Sequence, residues 1–395
     1  MNRDLLHRIQ QLLNQWHLKG WLVYGFHDLN PIAKRLAPLP EGVMLSRRWA
    51  FWIPARGEPA WLVHAIERGQ FAGYKARFVT YSSWQSFEQG LLTLTDGPGS
   101  IACEYSPDCG IPYVSWVDAG TADQLRRLGY ELHSSADLIQ ATYAVWTPAQ
   151  LESHRRAVAI CMEAKDRAFE AIREGLRTGA QLTELDIQRI ILDHFRARGL
   201  DPHHPPIVAV NEHAGDPHYM PTPERASVIQ PGDVILIDLW GKLKDVPDAV
   251  FADITWMAYA GEQPPAAMQK VFDTVARARD AALALVDARL RAGEPVHGWE
   301  VDDAAREVIR AAGYGDAFIH RTGHSLDTDI HGSGVNIDNL ETRDTRRIIP
   351  GIGFTIEPGI YLPEFGVRLE IDVYVHEDRA EITTLPLQDE FVRLG

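Results

Sequence analysis

The 395-residue chain has only three cysteines, no long apolar run, and too few basic residues to balance its acids. Cys103, Cys109 and Cys161 form neither a metal-binding CxxC pair nor an even set, so a disulfide framework is not expected and the thiols read as reduced. No stretch reaches the roughly eighteen apolar residues of a membrane-spanning helix. The opening MNRDLLHRIQQLLNQWHLKG is charged and amphipathic, without the apolar stretch or cleavage site of a signal peptide, so the expected location is the cytoplasm. Against 54 acidic residues stand 39 basic ones, a formal charge of −15. Phosphate binding depends on clustered Lys and Arg, so neither nucleic acid nor an anionic membrane is an expected partner. What is present, 45% hydrophobic and 24% charged residues, is ordinary globular composition on a chain long enough for two domains.

Residues 1–147 alternate helix with strand. Residues 5–18 read as a helix; WLVYG, WAFWIP, ARFVTY and SIACEY are short aromatic and β-branched runs bounded by turn formers, and residues 122–128 read as helical again. The alternation predicts an α/β domain. After Pro148 a long helical run carries Leu151, Val158, Met162, Phe169 and Ile172 on one broad face, and a second helix starts after Thr183, where Thr183 and Asp186 resemble a capping box. Beyond Pro205 strands dominate (IVAV, DVILIDLW, ADITWMAYA, GFTIEPGIYL, RLEIDVYVHE), with helices over 265–292 and 300–312. Residues 148–395 therefore predict an α+β domain, its helices packed on a mostly antiparallel sheet.

Four carboxylates interrupt these apolar strands: Asp238 in VILIDLW, Asp253 in FADITW, Glu357 in FTIEPG and Glu370 in VRLEIDV. An ionised carboxylate in such a strand costs several kcal/mol of desolvation, in order of magnitude, unless a cation or donor compensates it. Any one of them suits a salt-bridged strand end, but four in one domain point to a shared cation. His320, His324 and His331 fall together in the glycine-rich HRTGHSLDTDIHGSG. One imidazole added to carboxylates suits manganese, iron, cobalt or zinc better than magnesium. Asp245 and Asp248 are alternatives for the second aspartate, but lack the Ile-Thr strand pattern that follows Asp253.

The ordered Asp, Asp, His, Glu, Glu within LIDLWG, ADITW, HRTGHSLDTDIH, TIEPGIY and GVRLEIDV resembles the creatinase, prolidase and methionine aminopeptidase family. The resemblance covers the chain from Pro148 onward and implies a pita-bread catalytic domain behind a creatinase-like amino-terminal domain. It implies two divalent metal ions, manganese first, with cobalt, zinc or iron as alternatives. Asp238 would hold one, His324 and Glu357 the other, and Asp253 and Glu370 would bridge both. Such a pair acidifies water and stabilises an oxyanion. By the same resemblance Glu357 moves the proton to the leaving nitrogen, and His218 and His331 contact the substrate and the developing tetrahedral centre. His320 lines the pocket, Arg368 orients a ligand, and Tyr361 lines the site.

The implied activity is hydrolysis of Xaa-Pro bonds in small peptides by a homodimer, as a prolidase-like dipeptidase or as an aminopeptidase P on longer peptides. A dipeptidase must neutralise the substrate carboxylate, for which Arg343 in ETRDTRRIIPG is the candidate and Arg346 and Arg347 are competitors. Two features depart from the family pattern. Trp256 stands where arginine commonly follows Asp-Ile-Thr, predicting a bulky wall at the substrate pocket. Extra residues in LWGKLKDVPDAVFA predict a longer hairpin turn between the two aspartates. A creatinase-like hydrolase, a sulfonium lyase or a non-enzymatic binding protein on the same fold are the other readings; the intact ligand set disfavours the first and the last.

Overall fold

The structure is a computed structural model that describes residues 3–43 and 45–395. The chain divides into two compact units, the first running to Thr142 and the second being Tyr143–Gly395. This division lies ahead of the boundary placed at Pro148. Thr147 caps the helix that Pro148 begins, so the proline marks a helix start inside the second unit.

The strands of the first unit are β1 (Gly20–Gly25), β2 (Trp49–Pro54), β3 (Ala60–His64), β4 (Arg77–Tyr81), β5 (Ser100–Cys103) and β6 (Glu131–Ser134); its helices are α1 (Arg3–Gln15), α2 (Pro31–Leu36), α3 (Trp84–Thr95), α4 (Ala119–Arg127) and α5 (Ala136–Ile139). They build one six-stranded mixed sheet in the order β4-β3-β2-β1-β5-β6. The run WAFWIP is apolar at every position because both of its faces are covered. Phe51 meets Trp61 at 4.5 Å between ring centroids, while Ala50 and Trp52 face Leu22 and Phe87 on the other side. Helix α3 has no acidic capping signal; Ser83 and Ser86 form its capping box instead, and Phe87, Leu91 and Leu94 dock it on the sheet.

The second unit has helices α6 (Pro148–Thr178), α7 (Glu184–Arg198), α8 (Ala266–Ala292) and α9 (Gly298–Ala311). Its strands are β7 (Leu200–Asp201), β8 (Ile207–Val210), β9 (Val234–Leu243), β10 (Ala252–Tyr259), β11 (Ser325–Leu326), β12 (Gly353–Ile356), β13 (Gly359–Tyr361), β14 (Gly366–Arg368), β15 (Ile371–Val375), β16 (Ala380–Ile382) and β17 (Val392–Arg393). One sheet runs β17-β10-β9-β7 with β8 also on β9, a second runs β11-β12-β15-β16, and β13 and β14 pair alone. Side chains alternate across a strand, so β9 and β10 serve two cores. Ile235, Ile237, Leu239, Ile254 and Ala258 pack with α6 and α7. Val234, Leu236 and Met257 face the opposite way, into the core built from α8, α9 and the second sheet. Burying each Ile or Val there contributes about 1.5–3 kcal/mol. Among the described residues no helix is long and apolar enough to cross a membrane.

Candidate metal centre

Asp238 and Asp253 sit on the second of these faces. In the antiparallel register Asp238 pairs with Thr255, and Asp253 with Trp240, so all four side chains point to the same side as Leu236 and Met257. Glu370 is delivered to that side by the link between β14 and β15, whose backbone N–H at Glu370 donates to the Thr255 carbonyl at 3.3 Å. Thr255 Oγ1 then donates to Glu370 Oε2 at 2.7 Å and accepts from Arg368 Nε at 3.1 Å. Arg368 completes the clasp with a close ion pair to Asp238 Oδ2. Asp372 lies behind it, where its Oδ2 accepts the Asp253 backbone N–H at 2.9 Å.

From the second sheet come His324 and Glu357, tied by one hydroxyl. Thr355 Oγ1 accepts from the His324 backbone N–H at 2.9 Å and donates to Glu357 Oε1 at 3.0 Å. The carbonyl of Ser325, 3.2 Å from His324 Nδ1, can only accept, so that nitrogen carries the proton. The bare lone pair of Nε2 is thereby turned toward Asp253 Oδ2 at 3.6 Å and Glu357 Oε1 at 3.4 Å. Ligand atoms of Asp253, His324 and Glu370 lie within 4.8 Å of one another, all buried. Asp238 Oδ1 and Asp253 Oδ1 are buried without a hydrogen-bond partner.

Buried carboxylate oxygens left without donors beside a bare imidazole lone pair are unstable unless a cation stands among them, and this ligand set fits a divalent one. The electrostatics agree. Burial and then the neighbouring Glu370 and Asp238 push the Asp253 carboxyl well up, and burial with Glu357 does the same to Glu370. Burial raises Asp238 despite Arg368, and brings Glu357 to about 7.

The remaining sequence candidates divide. His331 is close, edge-on to His324 at 4.5 Å between centroids, and burial holds it down at about 4, so it is a neutral imidazole near pH 7 and not a cationic donor. His218 is exposed beside Pro217, whose carbonyl accepts from Arg368 at 3.4 Å. Tyr361 Oη bonds to both His320 Nε2 and Arg368, and burial lowers His320 to about 3, so the pair braces the clasp. Trp256 has the parity of Ile254 and Ala258. It points away from the carboxylates into the α6–α7 core, with Lys165 Nζ 3.9 Å from its ring. Arg343 is exposed and stacks over Trp299 at 4.9 Å.

Its competitor Arg346 is buried against Asp344 and the Ser333 carbonyl. Arg321 went unnoticed in the sequence, although its charge bears on Glu357, His324 and His331. Its place directly after His320 was the available signal. Asp245 and Asp248 lie exposed in the turn joining β9 to β10.

Carboxylates and an imidazole converging in the buried seam between two sheets define a metal-binding protein. The particular class follows from the sequence of the second unit. A model of metallopeptidase family M24 matches residues 152–377, more than half of the chain, and the chain belongs to that family. An uncharacterized peptidase, YqhT of Bacillus subtilis, is 30% identical over 272 residues, covering 64% of this chain and 71% of that protein. An Xaa-Pro dipeptidase of Lactobacillus helveticus is 27% identical over 254 residues, 62% of either chain. The solved structure of dipeptidase PepE from Mycobacterium ulcerans matches with a TM-score of 0.69 at 23% identity, over 99% of this chain and 97% of that one. The fold is that of these peptidases, a creatinase-like α/β domain followed by the α+β pita-bread domain.

Proposed function

We propose that the chain hydrolyses Xaa-Pro bonds of small peptides with two divalent ions, manganese foremost, as a prolidase-like dipeptidase. The observation that carries this reading is the convergence of Asp253, His324 and Glu370 within 4.8 Å. Asp238 and Glu357 stand in the same field. Asp238, Asp253, His324, Glu357 and Glu370 would hold the pair, which when bound acidifies water and polarises the scissile carbonyl.

The chain's own residues supply the rest. Glu357 takes a proton from the attacking water and returns it to the proline nitrogen as the C–N bond breaks. His331, neutral, donates an N–H to the carbonyl oxygen as charge develops on it, and His218 holds the peptide from the exposed side. Arg368 acts through Asp238, which it fixes by its ion pair.

A dipeptide brings a carboxylate to the site, and Arg321 is the guanidinium whose charge reaches Glu357 and His331. The contact of Arg343 with Trp299 favours a second reading, an aminopeptidase P that needs no carboxylate clamp from that loop. Assaying Xaa-Pro dipeptides and longer Xaa-Pro peptides side by side with Mn²⁺ separates the two. Cleavage of the dipeptides alone supports the first, preference for longer chains the second, and no cleavage of either rejects both.

A further inference from the structure

Helix α9 carries a charge pair that does more than hold the helix. Asp302 is fully buried and Arg306, one turn on, nearly so. Arg306 Nε donates to Asp302 Oδ2 at 2.9 Å and its Nη2 to Oδ1 at 2.8 Å. Two charges taken out of water cost several kcal/mol each in order of magnitude, and removing one partner leaves the other uncompensated. The exposed pair Asp287–Arg291 on α8 has the same spacing and costs nothing comparable.

The bonds left over after the pair is made run to one segment of chain. Asp302 Oδ1 accepts from Thr322 twice, from its N–H at 2.9 Å and its hydroxyl at 2.7 Å. Its Oδ2 accepts from the Asn339 N–H at 3.1 Å. Arg306 donates to the carbonyls of Phe318 at 3.0 Å and His320 at 2.9 Å. The pair thus grips both ends of the loop that contains His324 and His331. From Thr322 the grip passes on in two directions. Its carbonyl accepts the Glu357 N–H at 2.7 Å, and two residues later the His324 N–H reaches Thr355 Oγ1, which also holds Glu357 Oε1.

We infer that Asp302 and Arg306 are positioning residues of the metal centre, acting through Thr322 to set where His324 and Glu357 stand. The inference rests on the proposed role of those two residues as metal ligands. Thr322→Val removes one bond of the grip and leaves the backbone intact; Thr322→Ser restores the hydroxyl; Asp302→Asn weakens the whole clasp.

The test titrates the full-length chain with Mn²⁺ by calorimetry and records the visible spectrum of its Co²⁺ form. Outer partners of ligands typically alter metal affinity by about 10–100-fold. Thr322→Val should weaken Mn²⁺ binding by roughly tenfold and shift the Co²⁺ bands, with Thr322→Ser returning both to within about twofold of wild type. Asp302→Asn, if it folds by circular dichroism, should lose more; if it does not, the Thr322 pair decides. Variants with wild-type Mn²⁺ affinity and an unshifted Co²⁺ spectrum, whatever their melting temperature, would overturn the inference. A wild-type chain that binds no Mn²⁺ would overturn the proposed function instead.

Discussion

Tyr361 donates its only hydroxyl proton to His320 Nε2 across 2.7 Å. The direction is fixed because the neutral His320 ring carries its proton on Nδ1, which leaves Nε2 as an acceptor, and Arg368 gives the same hydroxyl oxygen a further hydrogen bond at 3.1 Å. His320 in turn gives its Nδ1 proton to the Arg321 carbonyl at 2.6 Å. The chain ends on Asp238 through Arg368, so a residue that looked like a pocket wall is a brace for a proposed metal ligand.

Tyr361→Phe removes that brace. The expected result is a loss of about 1–2 kcal/mol in stability and a weaker affinity for Mn²⁺, with KM for a peptide within about twofold of wild type. Chemical denaturation and steady-state kinetics check this; a large rise in KM at unchanged metal affinity would return Tyr361 to the substrate pocket.

The two arginines separate by kinetics. Hydrogen bonds to charged groups contribute about 1.5–3 kcal/mol, so Arg321→Met should raise KM for an Xaa-Pro dipeptide by roughly tenfold or more. Arg343→Met, which frees only the Trp299 ring, should stay within about twofold. The reverse ranking would restore Arg343 as the carboxylate clamp.

Trp256→Phe touches the α6–α7 core and not the carboxylates. Loss of the Lys165 contact and of buried ring area should cost about 1–2 kcal/mol in a denaturant titration and leave kcat and KM nearly unchanged. A changed peptide preference without a stability loss would contradict this placement.

In the first unit Glu104 is wholly buried and accepts from Trp21 and Asn30, yet burial still pushes it up from 4.5 to about 7. An acid whose pKa is higher folded than unfolded holds its proton better when folded. Its stabilising effect is full below pH ~4.5 and is lost as pH rises through about 7, an effect of up to roughly 3 kcal/mol. Urea titrations from pH 4 to 8 should show this decline in wild type and a flatter profile in Glu104→Gln. Equal profiles would mean that Glu104 titrates at its ordinary value.

The carboxylates were legible in the sequence because an acid inside VILIDLW or FADITW violates the burial rule for strands, and a violation of that rule marks a site. Strand parity was equally available and would have turned Trp256 to the face opposite the carboxylates, since it is one residue from Thr255 and three from Asp253. The Asp302–Arg306 pair was not legible. Acid and base one turn apart occur on many solvated helix faces, and only burial and the return of residues 318–339 give this pair its partners. Strands as short as β11, β14 and β17 carry too few residues for a period-two pattern, so the sheets of the second unit were only partly visible. Arg343 stands in ETRDTRRIIPG, and a position along the chain says nothing about where a loop folds back.

The seam of carboxylates and His324 is proposed as a metal centre that cleaves before proline. Its most direct test is turnover of an Xaa-Pro dipeptide by the metal-stripped full-length chain as Mn²⁺ is added back in increasing ratio. Turnover absent without metal, rising with Mn²⁺, saturating near two ions per chain and abolished by Asp253→Asn is the expected result. Turnover that survives stripping, or that never appears with Mn²⁺, Co²⁺, Zn²⁺ or Fe²⁺, would contradict it.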